Sequence, residues 1–229
     1  MIAEQEPDVT ASDDTEPVTL QLGPKQKRRE TSDRRMLRAA TSLIGRKGTA
    51  GANLAQIGLD AGYSRGLPVQ RFGTKFNLLE AVLDAIQDRF MRHVEKRVGD
   101  KKGCEALVER IRLQLEAVHE MPESAVALYQ LIVDSTGSIP ELRPRVVALH
   151  KAYRDNLREY MLQAREMGQL RPDVDIEQSV RAISGAISGM SIQAIVDGTT
   201  DRLGEDAGFI ADLFVSRVRG QTQPASSAI

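Results

Sequence analysis

Between Asn53 and Lys75 the sequence collects groups able to hydrogen-bond phosphate oxygens and the edges of bases: Asn53, Ser64, Arg65, Gln70, Arg71 and Lys75. An arginine can fork onto O6 and N7 of guanine, and a glutamine can pair with N6 and N7 of adenine. The same side chains also bind phosphates, which positions a protein without reading sequence. Spacing alone does not divide the six between those roles. Gly66 would let the backbone come close to a phosphate, while Leu67 and Phe72 can turn back into a core.

Those groups need a scaffold, and the pattern supplies two short helices. Asn53 is a good N-cap, and Leu54, Ile57 and Ala61 share one face. Gly62 suits a left-handed residue that ends the first helix. Ser64 is expected to cap the second, with Arg65 as its first residue and Pro68 as its fourth. On that register Pro68 sacrifices the bond to the Ser64 carbonyl, and Tyr63 packing on Pro68 partly offsets the loss. A longer helix should precede the pair. Thr31 or Ser32 can cap it, Met36, Leu37, Ala40, Leu43 and Ile44 form its stripe, and Gly48 ends it.

Charge points to the same block. The chain has 229 residues and a net charge of −1. Residues 1–24 carry six acids and no base, whereas residues 25–75 carry twelve Lys and Arg against three acids, a net of +9. A basic block suits phosphate, although a solvated charged face has the same composition. The cluster Lys25, Lys27, Arg28 and Arg29 is either an arm reaching DNA or a solubilising leader. Residues 1–30 are expected to be a disordered leader. Residues 31–75 read as the helix-turn-helix head, 76–220 as a helical second domain and 221–229 as a loose tail.

The stretch RRMLRAATSLIGRKGTAGANLAQIGLDAGYSRGLPVQRFGTKFNLL, residues 34–79, resembles the DNA-binding domain of the TetR family of transcriptional regulators. The matching features are the paired alanines of the first helix, the Gly48 turn, IGLDAGYSRG, and FGTK followed by two leucines. The resemblance implies a homodimeric repressor that binds a palindromic operator in double-stranded DNA. A small-molecule effector would bind the C-terminal helical domain, which would also dimerise. It places Asn53, Ser64, Arg65, Gly66, Leu67, Val69, Gln70, Arg71 and Lys75 in the DNA-contacting segment. Val69 departs from the family, which commonly has a phosphate-bonding tyrosine there. Backbone anchoring would then shift to Asn53, Arg65, Arg71 or Lys75.

Beyond residue 75 the pattern is helical throughout, with helices near 76–98, 104–120, 123–136, 140–168, 174–198 and 203–219 separated by glycine and proline. The expected fold is therefore all-α, with about nine helices. The small residues Ser184, Gly185, Ala186, Ser188, Gly189 and Ser191 allow close helix approach. With Ile210, Leu213, Phe214 and Val218 they suggest a four-helix dimer interface. A ligand pocket among these helices would draw apolar lining from Phe90, Met91, Met121 and Leu128. Its polar groups would come from His119, Tyr129, Gln130, Asp134, His150, Tyr153, Arg154 and Gln193. That mix suits a mostly apolar effector, such as a fatty acyl group, an aromatic acid or a CoA thioester, with Arg154 or His150 meeting an acid.

An enzyme is the reading from another class, with Cys104 at a helix start and His93, His119 and His150 as candidate bases. No nucleophile elbow, metal-ligand spacing or phosphate-cradling loop accompanies them, so neither a metal nor a cofactor is expected. A DNA-binding dimer without any ligand is a further alternative. One cysteine fits a reducing compartment. The acidic start does not read as a signal peptide, and no uninterrupted apolar run spans a bilayer. The expected location is the cytoplasm.

Overall fold

Helix-forming residues with apolar positions three and four apart produce nine α-helices and no β-strands among the described residues of this computed structural model, which are 23–220. Expectations for residues 1–22 and 221–229 lie outside them. The helices are α1 (Pro24–Gly51), α2 (Leu54–Asp60), α3 (Leu67–Phe72), α4 (Lys75–Val98), α5 (Gly103–Glu120), α6 (Pro122–Asp134), α7 (Arg143–Glu166), α8 (Ile176–Asp197) and α9 (Leu203–Val218). Two short 3₁₀ turns, Pro140–Leu142 and Thr200–Arg202, lead into α7 and α9.

Two apolar cores form. The head core joins Met36, Ala40, Leu43 and Ile44 of α1 to Ile57 of α2 and to Leu78, Leu79, Val82 and Leu83 of α4. Ala127 and Leu131 of α6 belong to this core as well, so the head is built onto the body. The body core joins α4, α5, α7, α8 and α9 through residues such as Val94, Leu107, Ile111, Leu157, Val180 and Ala211. Gly45 on α1 faces the backbone of Glu123, where an added Cβ would lie 2.9 Å from the carbonyl oxygen. This glycine permits α1 and α6 to pack closely.

Three expectations need correction. The first helix starts at Pro24, not at Thr31 or Ser32, whose hydroxyls instead donate to Lys27 O and Arg29 O inside it. Residues 24–30 are therefore helical, and Lys25, Lys27, Arg28 and Arg29 ride on α1 instead of a loose leader. They were hard to see because all are exposed and carry no apolar stripe. Gly48 does break the helix, at φ 70° and ψ 172°, a backbone that only glycine adopts readily. Finally, α8 is long and apolar enough to cross a membrane by length and composition, with a mean hydropathy of 1.2. The search for an uninterrupted apolar run missed it because glycine and serine dilute the isoleucines.

Candidate DNA-contact surface and ligand pocket

The head presents its polar groups around α2 and α3. Asn53 Oδ1 accepts the Gln56 N–H at 2.8 Å, capping α2 as its sequence position suggests. Gly62 has φ 81° and turns the chain toward α3. The start of α3 differs from the expected register. Its first helical residue is Leu67, Gly66 is the N-cap, and the Ser64 side chain makes no capping bond. The Ser64 carbonyl accepts the Leu67 N–H at 3.2 Å. Pro68 is thus the second residue of the helix, where an N–H has no intrahelical partner, and no bond is sacrificed.

A tight seat holds that proline. Gly58 of α2 faces the Ser64 carbonyl and the Pro68 ring, and an added Cβ would sit 2.5 Å and 3.1 Å from them. Gly58 is a head residue that the motif reading passed over, although a glycine inside a helix is itself a sign of close approach. Gly66 is different: an added Cβ there meets nothing within 4 Å, so internal packing does not require it.

Ser64, Arg65, Gly66, Val69 and Gln70 are exposed together on one side of the turn and α3. Leu67 is half-buried against the head core. Arg71 is paired within the head. Its Nε donates to Asp33 Oδ1 at 2.7 Å and its Nη2 to Asp33 Oδ2 at 2.5 Å, a forked pair tying α3 to α1. Lys75 Nζ donates to the Ala50 carbonyl at 3.4 Å, joining α4 to the segment before α2.

The joint between head and body centres on Asp134 at the end of α6. Its carboxylate accepts the Thr49 hydroxyl at 2.5 Å and the Ser138 hydroxyl at 2.8 Å. Burial opposes charge here, but hydrogen bonds from Thr49, Ser138 and Gln130 and the charge of Lys75 outweigh it, holding the carboxyl below its ordinary pKa.

On the opposite side of α6 lies a cavity of about 140 Å³ in the body. Phe90, Met91, Met121, Leu128, Tyr129, His150 and Tyr153 line it, as the sequence reading expected. The other five expected residues do not. Gln130 and Asp134 turn to the head joint, His119 and Gln193 are exposed, and Arg154 stands outside the wall. His150 is held below its ordinary pKa by burial and by the charge of Arg154.

The buried cation of the cavity wall is Arg110 of α5, which the sequence reading missed. It is 2% exposed. Its Nε donates to Asn156 Oδ1 at 2.8 Å and its Nη1 to Gln114 Oε1 at 2.9 Å. The guanidinium carbon lies 4.9 Å from the Phe90 ring centroid and 4.6 Å from that of Tyr153. Arg110 follows Leu107 by three residues, on the buried stripe, and this register was the available signal. Of the enzyme candidates, Cys104 is 1% exposed and packed in the body core.

The apolar surface of the last two helices also differs from expectation. Val218 is buried, and Ile210 and Phe214 are half-buried against the body core. The exposed set is instead Ile192 and Val196 of α8 with Phe209 and Leu213 of α9. Gly185 and Gly189 open onto space, with nothing within 4 Å of an added Cβ.

Comparison with known proteins bears on both halves. Residues 108–206 match a family model described as tetracyclin repressor-like, C-terminal domain. A TetR transcriptional regulator from Chloroflexus aurantiacus superposes with a TM-score of 0.74 at 20% identity, covering 84% of this chain and 98% of that one. FadR from Bacillus subtilis, solved in complex with stearoyl-CoA, gives a TM-score of 0.72 at 19% identity, with 81% and 98% covered. SmeT, the repressor of a Stenotrophomonas maltophilia multidrug efflux pump, gives 0.64 at 21% identity, with 86% and 96% covered. A search of curated proteins gives no match. At these identities the structures speak for the shared fold.

Proposed function

We propose, for a chain that belongs to the TetR family of transcriptional regulators by its C-terminal domain and fold, that it is a dimeric repressor released from DNA by a small effector. Its operator would be palindromic, since a twofold dimer meets two half-sites about one helical turn or more apart. The observation that carries this reading is the double duty of α6. Leu128, Tyr129 and Ile132 line the cavity, while Ala127 and Leu131 of the same helix are buried in the head core. An effector that displaces α6 therefore has a direct mechanical path to α1 and, through the Arg71–Asp33 pair, to α3. In thermodynamic terms the effector favours dimers whose head spacing does not fit the operator.

In this reading Arg65 and Gln70 are the groups free to reach bases. Asn53, Ser64, Gly66 and Lys75 meet the backbone, with Val69 beside them. Arg71 acts as a positioning residue, because Asp33 already occupies its fork. The dimer forms through the face of Ile192, Val196, Phe209 and Leu213, whose apolar exposure is the mark of an interaction surface. That face also accounts for an α8 as apolar as a membrane span without a membrane, and the protein would work in the cytoplasm. Released and bound states would differ by repacking, with no covalent chemistry.

The test is binding of purified protein to the DNA flanking its own gene, across several salt concentrations, beside a scrambled duplex. Sequence-selective binding with a steep salt slope, weakened by Arg65→Ala, is the expected result. Equal weak binding to both duplexes, with no response to Arg65→Ala, would defeat the reading for that DNA. A melting scan against metabolites checks the effector, and a consistent lack of shifts would favour the ligand-free alternative.

A further inference from the structure

Resting on the reading of the cavity as an effector site, we infer that the effector is a compact organic acid whose carboxylate binds the Arg110 guanidinium, with an apolar body of about one ring or a short chain. Three observations support this. First, Arg110 is a buried cation with no carboxylate within ion-pair distance among the described residues, only the neutral oxygens of Asn156 and Gln114. Arg71 and Arg145, which are less buried, by contrast have Asp33 and Asp84. Removing a charge from water without a counter-ion is costly, so a fold that keeps one implies a partner the chain does not contain.

Second, the cation is aimed. Phe90 and Tyr153 flank the guanidinium, while the two amide oxygens fix its orientation. Two bonds use only part of a group with five N–H donors, leaving donors for an anion in the cavity it lines. The Tyr153 hydroxyl is buried without a hydrogen-bond partner. Burial pushes its pKa up to about 12, so it stays a neutral donor. Tyr153 and Arg110 line the same cavity, so an entering carboxylate can answer both. Burial also pulls the guanidinium below its ordinary value, but an arginine side chain does not give up its proton in proteins.

Third, size and approach agree. A space of about 140 Å³ matches cavities of roughly 150 Å³ that accept a benzene-sized molecule. Arg89 lines both this cavity and an adjoining cleft with Arg34, Arg38 and Arg92. That cluster draws anions toward the mouth. The thioester carbonyl of an acyl-CoA carries no charge for Arg110, which separates this effector from the acyl-CoA bound by FadR.

The experiment compares aryl and short-chain alkyl carboxylates with their primary amides, and with phenyl phosphate, by calorimetry and melting on the full chain. The variants are Arg110→Met, Tyr153→Phe and Leu128→Trp. At least one acid should bind on the order of 30-fold or more tighter than its amide. Arg110→Met should abolish that preference and raise the melting temperature of the ligand-free protein. Tyr153→Phe should keep the fold and weaken the acid several-fold. Acids and amides binding alike, an acid preference that survives Arg110→Met, or phenyl phosphate favoured over every carboxylate would each overturn the inference. Amides alone binding, and losing their binding in Leu128→Trp, would overturn the acid while leaving the effector site standing. If no compound of either kind shifts the wild type, both fall, and the DNA-binding measurement then stands alone.

Discussion

Each half of the molecule draws an arginine out of solvent, and the two halves treat it differently. In the head, Arg71 is forked onto Asp33, so its charge is consumed within the fold and fixes the angle of α3 against α1. In the body, Arg110 is more deeply buried and has two amide oxygens and two aromatic rings beside it but no carboxylate. A paired arginine ties elements together, whereas a buried one without a counter-ion is costly to keep. Counting basic residues cannot separate the two; asking what each one faces can. The sequence reading placed Arg71 among the DNA-contact residues and did not notice Arg110; the structure adds the pairing of the first with Asp33 and the burial of the second.

The contrast between halves can be probed by weakening each in turn, and the largest effect should come from the core that spans them. Leu79→Ala should cost roughly 2–5 kcal/mol, measured by urea denaturation followed by circular dichroism. Because α6 residues share that core, a single shifted transition is expected. Two separated transitions would show that head and body are energetically independent. Gly58→Ala should cost about 1–3 kcal/mol by forcing the Ser64 carbonyl and Pro68 apart from α2. It should also weaken operator binding, because α3 moves; unchanged stability and binding would mean that the seat is soft.

Arg71→Ala should cost about 1 kcal/mol in stability, as expected of a partly exposed pair. Operator affinity should fall while the salt slope stays near that of wild type, since no phosphate contact is lost. A slope reduced by about one would make Arg71 a phosphate ligand after all. Arg71→Lys should not fully rescue it, because a lysine cannot reproduce the fork. The smallest effect concerns pH. Asp134 has its pKa lowered on folding, so its contribution is present above the ordinary carboxylate value of 3.8 and fades as pH falls through the lower folded value. The melting temperature of wild type should therefore drop more steeply in that acidic window than that of Asp134→Asn. Parallel curves would remove Asp134 from the joint.

The order of elements was readable because its signals are local. Asn53 capping α2, the glycines ending helices, and the stripes of α4 to α9 all depend on neighbours a few residues away. Most helix ends came within a few residues, the start of α1 being the exception. What failed depended on partners distant in sequence. Pro68 sits where no hydrogen bond is lost because α3 begins two residues later than Ser64 suggests, in a register set by the notch at Gly58. Asp134 and Gln130 look like pocket residues until the packing of α1 on α6 brings Thr49 to them. Phe90, Met91, Met121 and Leu128 are legible by apolar character, whereas Arg110 looks like any surface arginine until its place on the buried stripe is counted. The exposed apolar face does lie on α8 and α9, but of the four α9 residues expected on it only Leu213 is exposed, while Ile210, Phe214 and Val218 turn to the body core.

The two-sided packing of α6 has a consequence for how such a protein can diversify. A substitution at Leu128 or Tyr129 that alters which molecule fits is made in a helix of thirteen residues whose other face supports the head. Changes of taste made there would disturb DNA occupancy at the same time. The wall contributed by α5, including Arg110 and Gln114, places no residue in the head core. Lineages that acquire new effectors should therefore vary first along α5, and leave α6 comparatively still.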